Sequence, residues 1–461
     1  MAVLRQRLEE LRRQGLWREL RRLDSDAGPR IECAGQRLLN FSSNDYLGLA
    51  GHPALKAAAA EAAARFGAGA SASRLICGSL APHHELETAL AAFKGTEAAL
   101  TFATGYAAAL GAIPALVGPG DVVVLDKRAH ACLVDAARLS GAQLRVFPHN
   151  DLAKLEAICQ WAKDGGARAK GEGRRAKDEG RSSKDEGRSS KDEGRSSKDE
   201  GRSSKDEGRR GEDEGRRGEG IGQVLIVTES VFSMDGDHAP LRELAALKDR
   251  FGAWLLVDEA HATGLYGPHR RGLAEALGVA DRIDVQMGTL GKALGAAGGY
   301  VCGPRELIDL LVNRARSFLF STAPVPAQAA AARAAVGLVR GPVGRERVAT
   351  LQERVRQLHE GLAAQGWWNS AADVPGPGNA PNTAPPAADS AIFPLVVGEA
   401  TAAVALAGAL RERGVFVPAI RYPTVPRGAA RLRVTVSAAH TEAEIATFLS
   451  VLAACRNAVP A

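Results

Sequence analysis

The chain has 461 residues, 45% of them hydrophobic and 24% charged, and its formal net charge is +6. This is the composition of a globular protein with room for more than one core, and no apolar run approaches the roughly 20 residues that a membrane span needs. The six scattered cysteines include no CxxC pair. This pattern predicts buried thiols in a reducing compartment rather than disulfides or a zinc site.

The first 24 residues are charged throughout and lack the apolar core of a signal peptide. The spacing of four leucines predicts an amphipathic helix here, with one side formed by Leu4, Leu8, Leu11 and Leu20. We therefore expect a cytoplasmic protein that does not enter a membrane.

Strand-like and helical patterns then alternate along the chain. Helices are predicted at 53–66, 83–94, 106–117, 130–140, 240–251, 305–316 and 325–340. Strands are predicted at 99–103, 122–125, 144–148, 224–228, 254–258, 283–288 and 300–303. This alternation indicates an α/β fold with a mainly parallel, doubly wound sheet.

One segment, residues 163–220, interrupts the alternation. It repeats RSSKDEG four times over 181–208 and has no aromatic residue and no aliphatic residue larger than alanine. Such a segment buries too little apolar surface to offset its ordering entropy, so we predict a disordered insert; a partner-docking role stays open. Its 18 Lys and Arg against 16 Asp and Glu, and the absence of a concentrated basic run elsewhere, give no support to nucleic-acid binding.

The pattern changes after residue 340. A helix at 345–364, a loop rich in Pro, Ala and Asn within 366–389, strands at 392–398, 415–420 and 431–436, and helices at 401–413 and 441–455 predict a smaller α/β domain. We therefore divide the chain into an N-terminal helix and arm (1–50), a large domain (51–320) and a small C-terminal domain (321–461).

The stretch LLVDEAHATG, residues 255–264, places Asp258 at the end of an apolar strand and His261 three residues later. Ligands of open α/β sheets collect at this edge. Three interpretations are open. Asp258 could belong to the acidic motif of a DEAH-type ATPase, pair with the ring nitrogen of pyridoxal phosphate (PLP), or cap the next helix.

The ATPase interpretation needs a phosphate loop of the form GxxxxGK[ST]. The only candidate surrounds Lys292 in GTLGKALG, residues 288–295. Gln286 stands where the first glycine belongs, and Ala293 stands where the magnesium-binding hydroxyl belongs. The candidate also follows the acidic strand, whereas a phosphate loop normally precedes it. We reject an ATPase of this type, and no metal site is predicted.

A PLP enzyme needs a lysine for the Schiff base, an acid for the ring nitrogen and donors for the phosphate. Lys292 follows the next strand after Asp258 to the same sheet edge, although an ordinary turn lysine is the alternative on this stretch alone. Thr289 offers a hydroxyl to the phosphate. The backbone amides of Gly105 and Tyr106 stand at a predicted helix N-terminus, where phosphates bind.

Seven stretches in this order together resemble the α-oxoamine synthases, which are PLP enzymes of fold type I. They are FSSNDYLGL (41–49), SRLICGS…HHELE (73–87), TESVFSMDGDHAPL (228–241), VDEAHATG (257–264), GTLGKALG (288–295), FSTAPVPAQ (320–328) and IRYPTVPRGAARLRVTVSAAHT (420–441). The resemblance runs from about residue 15 to the end, outside 163–220 and 366–389. It implies a large domain with a seven-stranded, mainly parallel sheet, a smaller C-terminal α/β domain and a homodimer.

The resemblance assigns roles to the matching positions. Lys292 would be the Schiff-base lysine and the proton shuttle, Asp258 would pair with the ring nitrogen, and His261 would hydrogen-bond the ring hydroxyl. His130 would stack on the ring; the alternative for this residue is an ordinary histidine at a helix start.

Further contacts follow from the same resemblance. Ser233 and Thr289 would contact the cofactor, and Thr322 would reach the phosphate from the other subunit. Arg433 would bind the amino-acid carboxylate, a role that suits a planar guanidinium fork. The other matching positions are the substrate contacts Arg21, Asn44 and Thr424, together with the family histidine His83.

Family members condense glycine or alanine with different acyl thioesters. Ser73 replaces the threonine of the glycine-specific haem-pathway branch and leaves room for the methyl group of alanine, while VFSMDGDHAPL, HND (149–151) and IRYPTVP favour the biotin pathway. We therefore expect L-alanine and a pimeloyl thioester, carried by CoA or acyl carrier protein. The alternatives are glycine C-acetyltransferase, another α-oxoamine synthase, and a non-catalytic scaffold, which the presence of Lys292, Asp258 and His261 disfavours.

Overall fold

The computed structural model describes residues 1–166, 222–367, 387 and 389–456. The predicted insert at 163–220 and the predicted loop at 366–389 therefore lie, apart from their ends, outside the described residues. Of the helix predicted over the first 24 residues, only α1 (Ala2–Arg13) forms, and the prediction is wrong beyond it. Gly15 has a left-handed φ of 64° that is typical of a helix end, and Leu20 lies beyond it, fully exposed.

Two short strands that were not predicted follow α1. β1 (Arg30–Cys33) and β2 (Gln36–Asn40) form an antiparallel hairpin. Its two turn residues, Ala34 and Gly35, both have positive φ, as a tight hairpin turn requires. The arm that precedes the large domain is therefore a small folded unit.

The large sheet has seven strands. They are β3 (Ala98–Phe102), β4 (Val122–Asp126), β5 (Gln143–Phe147), β6 (Val224–Glu229), β7 (Trp254–Asp258), β8 (Val285–Thr289) and β9 (Gly299–Gly303). Their spatial order is β3-β9-β8-β7-β6-β4-β5. β9 is antiparallel to both neighbours and every other pair is parallel. The prediction of a mainly parallel seven-stranded sheet is confirmed.

Helices cover both faces of this sheet. They are α2 (Pro53–Phe66), α3 (Ala81–Lys94), α4 (Gly105–Leu116), α5 (Ala131–Leu139), α6 (Leu152–Trp161), α7 (Leu241–Phe251), α8 (Leu273–Ala276), α9 (Arg305–Arg314), α10 (Arg316–Leu319) and α11 (Pro326–Arg340). Alternate residues of one strand belong to two separate cores: Val122 and Val124 pack into one, Val123 and Leu125 into the other. A strand buried on both faces shows in the sequence as a continuous apolar run.

The C-terminal part adds the elements α12 (Pro342–Ala364), β10 (Ile392–Gly398), α13 (Ala400–Glu412), β11 (Val415–Phe416), β12 (Ala419–Ile420), β13 (Ala430–Thr435) and α14 (Glu442–Arg456). β10, β13 and β12 form an antiparallel sheet, whereas β11 pairs in parallel with β2 of the arm. α11 packs on α2 and α3 of the large part. The domain limits at residues 50 and 320 stay predictions.

Candidate active site

Three parallel strands bring charged groups to one edge of the large sheet. β6 ends at Glu229 and β7 ends at Asp258, and these two residues are paired in register. β8 ends at Thr289, three residues before Lys292. Because the carboxyl ends of parallel strands share one edge, the groups are close. Both carboxylates are buried, and Lys292 is half-buried as a whole residue while its amine end is buried.

The turn that carries Lys292 is held tightly. It is closed by a hydrogen bond of 2.9 Å from Leu290 N to Gly298 O. Gly295 has a φ of 62°, and a Cβ atom at this position would lie 2.4 Å from Ala50 N. Only glycine therefore fits where this turn meets the neighbouring loop. The structure thus shows a packed turn with an inward lysine, not the ordinary exposed turn that the stretch alone left open.

The amine of Lys292 meets an imidazole inside the site. Lys292 Nζ lies 2.8 Å from His261 Nε2. Burial lowers the pKa of Lys292, although the charges of Asp258 and Glu229 oppose this. Burial, together with the positive charges of Lys292 and Arg433, lowers the pKa of His261 well below its ordinary value. A buried amine beside a neutral imidazole is equipped for proton transfer.

Tyr46 links that imidazole to Arg433. Its hydroxyl oxygen lies 2.7 Å from His261 Nδ1 and 3.2 Å from Asn44 Oδ1, and it accepts from Arg433 Nη2 at 3.3 Å. With Nδ1 held by Tyr46, His261 Nε2 faces Lys292.

Arg433 joins the small sheet to this edge. It lies on the fully buried strand β13, its Nη1 donates to Asn44 Oδ1 at 3.0 Å, and its Nε donates to the carbonyl of Ser233 at 2.5 Å. Ser233 itself is buried in the loop that follows β6. The structure therefore brings the predicted positions 44, 233, 261, 292 and 433 together.

The predicted phosphate contacts also lie together. α4 begins at Gly105, with Thr104 as its N-cap, so the amides of Gly105 and Tyr106 stand in a first turn whose N–H groups have no intrahelical acceptor. A Cβ atom on Gly105 would lie 3.5 Å from Thr289 Cβ. Thr289 Oγ1 donates to Gly298 O at 2.9 Å. The Tyr106 side chain points elsewhere, because its hydroxyl bonds to Asp135.

His130 is the N-cap of α5, as the helix-start alternative also supposed. Its Nδ1 accepts from Cys132 N at 3.3 Å and lies 3.0 Å from Cys132 Sγ. The backbone N–H of His130 donates to Glu229 Oε1 at 2.7 Å. His130 is thus anchored at both its ring and its backbone, next to the edge that carries Lys292.

Two predicted substrate contacts lie at the arm. Arg21 and Thr424 are both exposed, and the guanidinium of Arg21 lies 5.8 Å from the Phe416 ring. Arg421 donates to Trp17 O at 3.3 Å, so the arm contacts the turn that carries Thr424. The structure places these two positions with the arm and does not join them to the lysine cluster.

Two further predicted positions lie outside the cluster. Thr322 is exposed, and the next residue, Ala323, donates its N–H to Ala72 O at 3.0 Å. His83 is buried at the start of α3, where its Nε2 contacts Pro324 O at 2.7 Å. His83 therefore braces the segment that carries Thr322 rather than facing Lys292.

Two site residues, Tyr46 and Glu229, were not predicted. Both fall inside stretches that carry the family resemblance, NDYLGL and TESVF, which is the signal that could have identified them. Tyr46 contacts three predicted site residues, His261, Asn44 and Arg433. Glu229 binds the backbone of a fourth, His130.

The residues of this edge suit PLP. A buried carboxylate, Asp258, and a buried amine, Lys292, supply a partner for a ring nitrogen and a nucleophile for an aldehyde. The first turn of α4 beside Thr289 supplies donors for a phosphate. Among the described residues no group of three or more His, Cys, Asp and Glu side chains could hold a metal ion, and no helix is long and apolar enough to cross a membrane.

Comparisons with known proteins agree with this chemistry. The family model for class I and II aminotransferases matches residues 36–171 and 214–452. The 8-amino-7-oxononanoate synthase of Anaeromyxobacter sp. (strain K) is 45% identical, over 98% of this chain and 95% of its own length. The synthase of the same name from Geobacter sulfurreducens is 42% identical, over 97% and 96%.

Solved structures support the same fold. Serine palmitoyltransferase of Sphingomonas wittichii superposes with a TM-score of 0.78 and 27% identity, covering 100% of this chain and 98% of that one. A serine palmitoyltransferase solved with PLP superposes with a TM-score of 0.78 and 28% identity, covering 99% of this chain and 97% of that one. The 8-amino-7-oxononanoate synthase of Francisella tularensis superposes with a TM-score of 0.64, covering 91% of this chain and 98% of that one. At 23% identity this likeness concerns the fold alone. The chain therefore belongs to the class I and II aminotransferase family of PLP enzymes and, within it, to the 8-amino-7-oxononanoate synthases, the acyltransferases of biotin biosynthesis.

Proposed function

We propose that the chain condenses L-alanine with a pimeloyl thioester to give 8-amino-7-oxononanoate, carbon dioxide and the free thiol. The observation that carries this proposal is the contact of 2.8 Å between Lys292 Nζ and His261 Nε2, beside buried Asp258 and within the network that ends at Arg433. A nucleophilic amine, a carboxylate and a fixed guanidinium at one edge supply the groups that this reaction needs.

The cofactor would be held along this edge. The amides of Gly105 and Tyr106 and the hydroxyl of Thr289 would take its phosphate, Asp258 its ring nitrogen and His261 its ring hydroxyl. His130 and Ser233 would contact the ring, and Lys292 would form the covalent link. When bound, PLP supplies an electron sink for the negative charge that develops at the α-carbon of the amino acid.

Lys292 would act as the base. An amine takes a proton only in its neutral form, and burial lowers the pKa of Lys292, which raises the neutral fraction near pH 7. His261 Nε2, 2.8 Å away, would hydrogen-bond the amine and so hold Nζ in place for the α-proton.

Arg433 and Asn44 would bind the amino-acid carboxylate. The guanidinium is held by Ser233 O, Asn44 Oδ1 and the Tyr46 hydroxyl, so its plane is set before substrate arrives. A preset fork loses little entropy when it pairs with a carboxylate. We assign the amino-acid specificity to L-alanine because Ser73 leaves room for a methyl group and because VFSMDGDHAPL, HND and IRYPTVP favour the biotin enzyme over glycine C-acetyltransferase, which shares the stretch around Ser73.

The acyl thioester would enter past the arm. The guanidinium of Arg21 lies 5.8 Å from the Phe416 ring, and the arm contacts the turn at residue 421, close in sequence to Thr424; both positions are exposed and would be open to a thioester that arrives from solvent. The acyl group could be carried by either CoA or acyl carrier protein. All six cysteines of the chain are free, which supports the reducing cytoplasm as the site of action.

We also propose a homodimer in which Thr322 serves the phosphate of the other subunit. The segments around Thr322 and Ala72 are hydrogen-bonded to each other, through Ala323, and expose large apolar side chains. Ile76 is 79% exposed and Phe320 is 72% exposed. A patch of this kind marks an interaction surface.

The test is chemical. Protein is incubated with PLP and reduced with borohydride, and peptide mass spectra are expected to show the cofactor on Lys292. The variant Lys292→Ala is expected to lose this modification. The control Lys56→Ala, at an exposed lysine of α2, is expected to retain it. L-alanine with pimeloyl-CoA or pimeloyl-acyl carrier protein is expected to give the mass of 8-amino-7-oxononanoate. Product from glycine and acetyl-CoA alone would instead identify glycine C-acetyltransferase and overturn the proposed substrates.

A further inference from the structure

One buried ionisable group at the active-site edge has no part in the function proposed so far. Glu229 ends β6, is 2% exposed and pairs in register with Asp258. Burying a carboxylate is costly unless it is hydrogen-bonded or serves the chemistry. Its position one strand from Asp258 and beside Lys292 therefore calls for a reason.

The contacts of Glu229 are with backbone rather than with side chains. Its Oε1 accepts the N–H of His130 at 2.7 Å, and the backbone of Ser233 acts on the same carboxylate and lowers its pKa. His130 follows β4, whereas Ser233 follows β6 itself. One carboxylate thus ties together the two loops that carry the expected ring contacts.

Glu229 also belongs to a group of charges. Burial and the charge of Asp258 raise its pKa to about 8, whereas Lys292 and the backbone of His130 and Ser233 lower it. At neutral pH the anion therefore forms where a cation at Lys292 favours it. In turn, the charge of Glu229 raises the pKa of Lys292, second only to Asp258 among the favourable charges. Two carboxylates therefore face one amine at this edge.

A neighbouring carboxylate shows what a purely structural glutamate does in this protein. Glu259 is 1% exposed and adjacent to Asp258 in the chain, but its carboxylate pairs with Lys94 and accepts from Ala274 N. Neither of these partners belongs to the proposed site. Glu229 differs because its hydrogen-bond partner His130 and the charges of Asp258 and Lys292 that act on it belong to the site, whereas Glu259 acts on the site only through its charge, on Asp258.

We propose that Glu229 is a positioning residue with two effects: it fixes His130 and Ser233 against the cofactor through their backbone N–H groups, and, ionised by the cationic link between Lys292 and the cofactor, it is the second anion that balances this link. This inference rests on the proposed function, because it supposes that PLP is bound at Lys292. The group acts through its neighbours and does not touch the substrate.

The experiment uses Glu229→Gln and the matched control Glu259→Gln in PLP-loaded protein. Glutamine cannot accept both N–H groups as a carboxylate does. The dissociation constant for PLP is therefore expected to rise roughly tenfold. Loss of the anion is expected to lower, by about one unit, the pH midpoint at which the visible absorption of the lysine-bound cofactor titrates. Thermal unfolding of the cofactor-free proteins gives the structural effect separately.

Glu259→Gln is expected to lower the melting temperature and leave both cofactor readouts unchanged. If Glu229→Gln also lowers only the melting temperature and leaves both cofactor readouts unchanged, Glu229 has only a structural role and the inference fails. If wild-type protein takes up no PLP on Lys292 under borohydride, the proposed function has failed instead. If Glu229→Gln does not fold, Glu229→Asp is used instead, because it keeps the anion but has a shorter side chain. This variant is expected to bind PLP more weakly without a change in the pH midpoint of the visible absorption. An unchanged affinity for PLP would overturn the positioning role.

Discussion

At the scale of single residues, the site depends on a tyrosine that serves three partners at once. Tyr46 is 1% exposed, and its hydroxyl joins His261, Asn44 and Arg433. Burial raises its pKa, so the hydroxyl keeps its hydrogen at neutral pH. It therefore couples the position of the imidazole that faces Lys292 to the orientation of the guanidinium.

Removing that hydroxyl should separate binding from turnover. In Tyr46→Phe, Arg433 loses an acceptor for Nη2 and His261 loses the hydrogen-bond partner of its Nδ1. A hydrogen bond to a charged group contributes about 1.5–3 kcal/mol, so we expect the KM for L-alanine to rise at least roughly tenfold, with a smaller fall in kcat. Steady-state kinetics with varied L-alanine measures both.

Tyr266→Phe is the matched control for this prediction. Tyr266 is also buried, but its hydroxyl bonds to the carbonyl of Asp389 and not to Arg433. We expect this variant to keep the wild-type KM. Equal changes in the two variants would show that Tyr46 contributes only general stability.

The sequence predicted those residues whose chemistry is visible locally. Asp258 and Lys292 follow apolar strands directly, so their place at the sheet edge follows from the fold class. Tyr46 acts through a partner 215 positions away, and Glu229 acts on backbone N–H groups, which carry no mark in the sequence. The family resemblance marks the stretches that contain both residues, but their roles are identified only when the loops are placed in three dimensions.

At the scale of elements, the loop after β6 is braced by a histidine between two aspartates. His149 Nδ1 contacts Asp126 Oδ1 at 3.1 Å and its Nε2 contacts Asp237 Oδ2 at 2.6 Å, while its ring packs edge-on against Phe232. Burial alone lowers the pKa of His149, but the hydrogen bonds and charges of the two aspartates outweigh this and raise it to about 9. The brace thus ties β4 and β5 to the loop that carries Ser233.

This brace makes stability depend on pH with a defined sign. The folded-state pKa of about 9 exceeds the unfolded value of about 6.5, so the contribution is complete below about pH 6.5 and is lost as the pH rises through about 9. At about 1.4 kcal/mol per unit, the loss is on the order of 3 kcal/mol. Denaturation midpoints of wild type and His149→Gln should converge as the pH is raised over this range.

His269→Gln supplies the control, since His269 is 69% exposed and pairs only at the surface with Glu275. Its pH profile is expected to follow that of wild type. If the denaturation midpoints of wild type and His149→Gln differ by the same amount at every pH, His149 stabilises the loop by packing and not by its charge.

The elements themselves were predicted unevenly. Long helices and strands buried on both faces have periodicities that can be read locally, and they were found within a few residues of their observed bounds. β2 was not found, because it has only five residues, two of them exposed, and it pairs with β11 almost 380 positions later. The first helix was predicted too long because its leucine spacing continues past Gly15, where the backbone turns.

At the scale of the whole molecule, one chain places Thr322 outside the cluster that it is expected to serve. The residue is exposed next to Phe320, on the apolar surface formed with the segment around Ala72. A twofold axis through such a surface would bring this segment of one subunit to the site of the other. The proposed active site would then be complete only in the dimer.

Mixed dimers test this arrangement directly. Lys292→Ala and Thr322→Arg chains, each expected to be inactive alone, are unfolded together and refolded with PLP. If Thr322 serves the other subunit, each mixed dimer has one site with both substitutions and one with neither, so random reassortment should restore about a quarter of the wild-type activity. If Thr322 serves its own chain, both sites of the mixed dimer carry one substitution and the mixture should stay inactive. Activity after mixing folded dimers, before any exchange, gives the baseline against which the recovery is measured.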